Sequence, residues 1–233
     1  QHALGLANGL AAGGQRPVVA LYSTFLQRGF DQLFHDIALQ NAPVVVCVDR
    51  AGLVGSDGPT HHGLYDIAFS TPLPGVQVMA PRDEAELCHM LELALSTDGP
   101  SVLRYPRESV PSRPSEYDPP EFDIGEGEVV RSGEDAAIIA YGALVPRAEE
   151  AATTLSDEDG ISTTVVNARF AKPLDVKLLR ETVQTHKTVL VAEDHCVTGG
   201  FGSRVLTTLC REGLDVEHVE LAGVHSGDSA CVI

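Results

Sequence analysis

Residues 49–63 read Asp49-Arg-Ala-Gly-Leu-Val-Gly-Ser-Asp-Gly-Pro-Thr-His-His-Gly63, directly after the apolar, β-branched run Pro43-Val-Val-Val-Cys-Val48. Four glycines and a proline in fifteen residues rule out a helix, because glycine forfeits backbone entropy and proline lacks a donor. The segment is therefore a loop that follows a buried strand. It carries Asp49, Arg50, Asp57, His61 and His62, groups able to move protons or hold anions. In open parallel sheets, ligands sit at the carboxyl ends of strands. The chemistry is expected on this loop.

Upstream, Gln1–Gly13 is rich in Ala and Leu with small residues near helical spacing, predicting a helix packed closely against something. Pro17-Val-Val-Ala-Leu-Tyr22 predicts a strand, with Ser23 and Thr24 as N-caps of a helix over Phe25–Gln40. Downstream come a short strand at Val76–Ala80, a helix from Pro81 with acids in its first turn, and a strand at Ser101–Tyr105. Residues 108–122 hold four prolines and no periodicity, which predicts an extended linker. The alternation then restarts: strands at Ala136–Tyr141, Ile161–Val166, Thr188–Ala192 and Val216–Leu221, and helices at Leu144–Leu155, Asp175–Thr185 and Phe201–Glu212. Strands alternating with helices predict an α/β chain of two parallel-sheet domains, 1–107 and 123–233, joined by the 108–122 linker.

The 233 residues carry a formal charge of −17, spread unevenly: ten acids face six bases in 1–107, and 23 face ten in 108–233. That balance repels nucleic acid and anionic membranes. No apolar run approaches the ~20 residues of a membrane span. The five cysteines are scattered without a C-x-x-C pair, which predicts a reducing compartment and no disulfide framework or structural zinc. The opening Gln1-His-Ala-Leu-Gly has neither Met nor signal-peptide features, so a processed or truncated piece is expected.

Tyr22-Ser-Thr-Phe-Leu-Gln-Arg28 sits at another strand-to-helix turn. Tyr22 and Phe25 could offer aromatic faces and Arg28 a bidentate anion contact, but composition alone favours Phe25 as core and Arg28 as a plain surface cation. Arg50 and Arg107 each follow a strand, where a phosphate could be clamped. Adjacent His61 and His62 point opposite ways in extended chain and have no second ligand cluster, which disfavours a metal site. A constrained histidine beside Asp57-Gly-Pro is a ready proton shuttle. Glu193-Asp194-His195 before Thr198-Gly-Gly-Phe-Gly202 departs from G-x-G-x-x-G, and its acids would repel phosphate, so it reads as packing or interface.

Taken together, Tyr22-Ser-Thr-Phe-Leu-Gln-Arg28, Asp31-Gln-Leu-Phe-His-Asp36, Asp49-Arg-Ala-Gly-Leu-Val-Gly-Ser-Asp-Gly-Pro-Thr-His61 and Arg104-Tyr-Pro-Arg107 closely resemble the 1-deoxy-D-xylulose-5-phosphate synthase family of transketolase-like thiamine diphosphate enzymes. Arg169-Phe-Ala-Lys-Pro-Leu-Asp175 and Glu193 through Gly200 resemble that family's C-terminal domain, as residues 1–107 resemble its pyrimidine-binding domain. The resemblance implies a two-carbon transfer in which pyruvate is decarboxylated and joined to glyceraldehyde 3-phosphate. The product would feed isoprenoid, thiamine and pyridoxal synthesis. It implies thiamine diphosphate as cofactor, with Phe25 stacked on its aminopyrimidine and Arg28 nearby. Arg50 and Arg107 would grip the acceptor phosphate, Asp57 would hold an acceptor hydroxyl, and His61 would assist proton transfers. Tyr22 and Ser23 would line the substrate pocket, Tyr22 close to the reacting atoms.

Two departures stand out. The family's cofactor-activating glutamate would directly precede Gln1, and no Gly-Asp-Gly…Asn motif for Mg²⁺ and diphosphate occurs in the 233 residues. This chain alone is therefore expected to be inactive, with Mg²⁺ ligands in an N-terminal diphosphate-binding domain outside it. The end, Gly223-Val-His-Ser-Gly-Asp-Ser-Ala-Cys-Val-Ile233, also departs from the family pattern. A homodimer in the cytoplasm or plastid stroma is the family expectation. The alternatives are a subunit of a split transketolase or of a pyruvate dehydrogenase beta type, or a non-catalytic dimerisation module.

Overall fold

The computed structural model describes residues 1–109 and 121–225. The predicted linker therefore lies largely outside the described residues, as does the tail beyond His225. Each half is built on a five-stranded sheet. In the first, helix α1 (His2–Ala12) precedes β1 (Val18–Tyr22), α2 (Ser23–Leu26), β2 (Val45–Asp49), α3 (Asp66–Ser70), β3 (Gln77–Met79), α4 (Glu84–Ser96) and β4 (Ser101–Arg104). The second contains β5 (Glu128–Arg131), β6 (Ala136–Ala140), α5 (Leu144–Thr154), β7 (Thr163–Asn167), β8 (Phe170–Lys172), α6 (Val176–Thr185), β9 (Thr188–Cys196), α7 (Phe201–Glu212) and β10 (His218–Val224).

The sheet orders are β1-β2-β4-β3-β8 and β10-β9-β6-β7-β5. All neighbours run parallel except the edge strands β8 and β5, which pair antiparallel with β3 and β7. Both sheets are thus parallel with one antiparallel edge each. The β-branched strand β2 is covered on both faces, as a parallel sheet flanked by helices requires. Strand β8 lies in the second half of the sequence yet completes the first sheet, pairing Val78 with Lys172 and Met79 with Phe170. Helices α4 and α6 begin on aspartate caps: Asp83 accepts from the Glu86 amide and Asp175 from the Leu178 amide.

Several elements differ from the sequence expectation. The continuous helix predicted over Phe25–Gln40 is a short α2, a 3₁₀ turn at Gln27–Gly29 and a π-helix at Gln32–Ala38. Ser23 and Thr24 are not its caps. Tyr22 holds the cap position, the Ser23 hydroxyl donates to Asp66, and the Thr24 hydroxyl donates to the Thr60 carbonyl. Helix α3 and strands β5 and β8 were not anticipated, and β9 runs four residues past the predicted end at Ala192. The close packing expected around α1 holds on one face, where Leu4 and Ala7 are buried and Leu4 sits against Gly29, while on the other face Gly5 and Gly9 meet open space and Leu6 and Leu10 are exposed.

The halves are joined by a buried ionic cluster. The Glu86 carboxylate, fully buried, accepts from the Arg82 amide, Asn167 Nδ2 and Arg169 Nε at 2.8–2.9 Å. Arg169 also lies over the Phe122 ring, 3.9 Å from its centroid. A charge this deep is tolerated only when its lone pairs are taken up. Here α4 of the first half supplies the acid and the turn between β7 and β8 supplies the cation. Among the described residues, no helix is long and apolar enough to cross a membrane.

Candidate functional site

The loop after β2 is organised, although it is neither helix nor strand. Two 3₁₀ turns, Gly55–Asp57 and Pro59–His61, shape its tip. Its neck is closed by reciprocal backbone bonds between Gly52 and Gly63, 2.9 and 2.8 Å. Glycine is required on both sides of the neck. Gly52 has φ +87°, and a Cβ at Gly63 would lie 2.4 Å from the Arg50 carbonyl.

Asp57 stands between two cations. Its Oδ2 accepts from Arg50 Nε at 3.1 Å and its Oδ1 from Arg107 Nη1 at 2.9 Å. The arginines arrive from the carboxyl ends of β2 and β4, neighbours in the sheet, so two positions 57 residues apart in sequence meet at one carboxylate. Arg50 also donates to Asp49 at 2.6 Å. Partial loss of water pulls the Arg50 guanidinium down, but the bond to Asp57 and the charge of Asp49 outweigh it, and the group stays cationic.

From Arg50 a stack runs outward. Its guanidinium lies 3.9 Å from the Tyr22 ring centroid. Tyr22 stacks on Phe25 at 5.5 Å with an interplanar angle of 13°, and Phe25 meets the edge of His61, also at 5.5 Å. Phe25 is 51% exposed, so it is not a core residue, and its ring is available to an aromatic partner. The His61 Nδ1 shares a 2.9 Å bond with the Thr60 hydroxyl. His62 does different work: its Nδ1 accepts from the Val54 amide and fixes the loop.

The structure therefore brings Tyr22, Phe25, Arg50, Asp57, His61 and Arg107 into one cluster. Arg28 lies exposed on the Gln27–Gly29 turn and makes none of these contacts. Ser23 borders a groove of about 400 Å³ with Thr24, Thr60, His62 and Tyr65. It is only 2% exposed, and its hydroxyl is committed to Asp66, so as a pocket-lining donor it is a poor candidate. Among the described residues, no group of three His, Cys, Asp or Glu side chains is placed to hold a metal ion.

Sequence reading missed the support beneath the cluster. Asp66, at the start of α3, accepts from Arg104 Nε at 2.8 Å and from Ser23 Oγ at 2.9 Å. Burial works to raise the Asp66 carboxyl, but the charge and hydrogen bond of Arg104 win and hold it below the usual range. Arg104 also donates to the Asp194 carbonyl at 3.1 Å. His195 Nε2 accepts from the Ile67 amide at 3.1 Å, so the ring carries its proton on Nδ1, bonded to the Cys196 carbonyl at 2.8 Å. Burial pushes His195 down to about 4 and Glu193 up to about 7. Glu193 nonetheless caps α7, accepting from the amides of Phe201 and Gly202. The glycine-rich turn is thus occupied by the protein's own carboxylate, as its reading as packing expects. The available signals were charged residues at the ends of apolar strands, Arg104 after Val102-Leu103 and Glu193-Asp194-His195 after Val189–Ala192.

Comparison with known proteins agrees with this architecture. Residues 1–113 match the family model "Transketolase, pyrimidine binding domain", and residues 125–231 match "Transketolase, C-terminal domain". The chain is 51% identical over 224 residues to 1-deoxy-D-xylulose-5-phosphate synthase 1 of Geobacter sulfurreducens, covering 96% of this chain and 35% of that protein. It is 52% identical over 220 residues to the 1-deoxy-D-xylulose-5-phosphate synthase of Gloeobacter violaceus, covering 93% of this chain and 34% of that one. It therefore spans about a third of the length of these curated relatives. Among solved structures, a split-gene transketolase described as an inactive beta4 tetramer superposes with TM-score 0.87 and 31% identity, covering 99% of this chain and 74% of that one. Campylobacter jejuni transketolase, at 18% identity and TM-score 0.74 over 96% of this chain and 33% of that one, shares the fold. On these matches the chain belongs to the transketolase family, carries its pyrimidine-binding and C-terminal domains, and is similar in sequence to the 1-deoxy-D-xylulose-5-phosphate synthases.

Proposed function

We propose that this chain forms the pyrimidine-facing and acceptor-binding part of a thiamine diphosphate-dependent synthase that joins pyruvate, with loss of CO₂, to glyceraldehyde 3-phosphate. The observation that carries the reading is the convergence of Arg50 and Arg107 on Asp57, beside the Tyr22–Phe25–His61 stack. Two guanidiniums at adjacent strand ends suit a phosphate, which they can grip by charge-assisted hydrogen bonds. In that binding mode the phosphate takes over donors that Asp57 now holds, and Asp57 is released to accept from an acceptor hydroxyl. His61, half-buried and in reach of the cluster, moves protons at the reacting oxygen.

The half-exposed ring of Phe25 fits stacking on an aminopyrimidine. When bound, thiamine diphosphate supplies the nucleophilic carbon and the electron sink for decarboxylation. Tyr22 and Phe25 orient it, and Arg28 lies on the following turn. The diphosphate and Mg²⁺ are assigned to protein outside this chain. A homodimer is supported by the unpacked Gly5, Leu6, Gly9 and Leu10 of α1. A cytoplasmic or plastid setting is part of the same proposal.

The test is an assay of the full-length polypeptide containing this chain, with pyruvate, glyceraldehyde 3-phosphate, thiamine diphosphate and Mg²⁺. The expected product is 1-deoxyxylulose 5-phosphate with CO₂. Arg107→Ala should raise the acceptor KM by about tenfold or more, the worth of one lost charge-assisted bond. The isolated chain should be inactive. Turnover by the isolated chain, or an unchanged acceptor KM in the variant, would overturn the assignment.

A further inference from the structure

Three consecutive residues at the carboxyl end of β9 each hold a different point on the segment that contains Asp57 and His61. The Asp194 carboxylate accepts from the Leu53 amide through both oxygens, at 3.1 and 3.2 Å. His195 Nε2 accepts from the Ile67 amide at 3.1 Å. The Cys196 amide donates to the Leu64 carbonyl at 3.2 Å. Leu53 lies at one root of the loop, and Leu64 and Ile67 at the other. A residue from the second half of the chain thus grips each end of the loop that the first half presents.

The contact is built in. The ladder between β6 and β9 ends at Ala192, so the residues beyond it follow a path set by the loop and by the single further pairing of Cys196 with Val224. A Cβ on Gly52 would lie 1.8 Å from Asp194 Oδ2, so the loop approaches this carboxylate as only glycine allows. Asp194 is itself held, because its carbonyl accepts from Arg104, whose guanidinium is anchored on Asp66. It touches neither Asp57, His61, Arg50 nor Arg107 in these bonds. Its influence on them must pass through the loop backbone.

We propose that Asp194 is a positioning residue of the C-terminal domain: by fixing the Leu53 amide it sets where Asp57 and His61 stand relative to Arg50 and Arg107, and so governs capture of the phosphorylated acceptor. The positioning stands on geometry alone, while the identity of the acceptor rests on the reading given under Proposed function.

The experiment compares Asp194→Ala and Asp194→Asn with the unaltered protein, in the full-length polypeptide containing this chain. Three quantities are measured: amide hydrogen exchange across residues 50–67, thermal stability, and KM for pyruvate and glyceraldehyde 3-phosphate separately. A hydrogen bond to a charged acceptor is worth roughly tenfold or more in local opening. Asp194→Ala should therefore speed exchange at Leu53 and along the loop by about tenfold, with α6 and α7 unchanged. The acceptor KM should rise about as much, while the pyruvate KM stays within about twofold. Asp194→Asn keeps one acceptor oxygen and should recover much of both effects. Unchanged loop exchange would overturn the proposal. So would faster exchange spread over α6 and α7 with both KM values shifted together, the signature of general loosening. If the unaltered protein makes no deoxyxylulose phosphate, the functional reading fails, and the exchange data still decide whether Asp194 positions the loop.

Discussion

Replacing Asp66 by alanine tests the buried support most directly. Asp66 is 1% exposed and Arg104 4% exposed. The carboxylate takes two bonds from Arg104, at 2.8 and 3.5 Å, and one from Ser23 at 2.9 Å. Asp66→Ala leaves the Arg104 guanidinium in the core with its bond to the Asp194 carbonyl. Removing one partner of a buried pair costs about 3–5 kcal/mol, since the other charge stays desolvated. Against a total stability of about 5–15 kcal/mol, that is a lowering of Tm by about 10 °C for a chain of this size. Replacing both partners, Asp66→Ala with Arg104→Met, removes the stranded charge and should recover much of the loss. The assay is urea unfolding of the chain, its two single variants and the double. The expected coupling between the sites is about 2 kcal/mol or more. The acid limb should change as well. Because the Asp66 carboxyl is held below its unfolded value, its contribution is present above about pH 4 and is lost as pH falls through the lower folded value; Asp66→Ala should lack that part of the acid sensitivity. Single variants costing under about 1 kcal/mol, or strict additivity in the double, would refute the reasoning, because a desolvated guanidinium cannot be that cheap.

Glu193→Gln should reveal a hidden pH dependence. His195, held down to about 4 by burial, binds a proton in the unfolded chain but not the folded one up to about pH 6.5, so its contribution to stability grows with pH over that window. Glu193, pushed up to about 7 by burial against the pull of the Gly202 and Phe201 amides, keeps a proton in the folded state that the unfolded chain has released above about pH 4.3, so its contribution falls with pH. The two slopes oppose each other, and the variant should show stability rising by up to about 1.4 kcal/mol per pH unit between about 4.5 and 6.5. A variant as flat as the parent would contradict the opposition. Gly52→Ala combines φ +87° with a Cβ driven into Asp194; a loss of about 2–4 kcal/mol in urea unfolding is expected from left-handed strain plus the broken Leu53 bond, and a loss below about 1 would mean the neck can yield. If the proposed homodimer forms through α1, Leu6→Glu with Leu10→Glu, both exposed on α1 beside unpacked glycines, should shift sedimentation to a smaller species. Unaltered sedimentation would remove α1 from the subunit contact.

Strands were legible where burial on both faces leaves a β-branched run, as at β2, β6 and β7, and their starts fall within two residues of expectation. What escaped the sequence has long-range causes. Strand β8 is three residues long, and its pairing partner β3 lies about ninety residues upstream, so nothing local marks it. Helix α3 covers only Asp66–Ser70 and exists beside His195, which takes the Ile67 amide, and Arg104, which takes the Asp66 carboxylate. Glu86 and Asp66 are of a type that defaults to water, and His195 was legible only as part of a packing or interface segment. They are buried because partners from distant segments satisfy them. The site cluster itself was legible through its residue types and the likeness of its motifs, while the pairing of both arginines with one aspartate was not. That pairing depends on β2 and β4 being neighbours in the sheet, an order that sequence proximity does not give.

The bonds that the loop bearing Asp57 and His61 makes within itself include the neck pair, the turns at its tip and the His62–Val54 bond. Its two short 3₁₀ turns and the Gly52–Gly63 neck fix its outline, but glycine-rich backbone resists bending poorly. Catalytic and binding groups must stand within a fraction of an ångström of working geometry to be effective. The loop is held from within, where His62 staples the Val54 amide, and from outside, where the Thr24 hydroxyl bonds the Thr60 carbonyl, Arg107 bonds Asp57, and β9 holds Leu53, Leu64 and Ile67. On the proposal made above, a second domain that supplies none of the clustered groups still positions them, because Asp194, His195 and Cys196 hold both roots of the loop that carries Asp57 and His61.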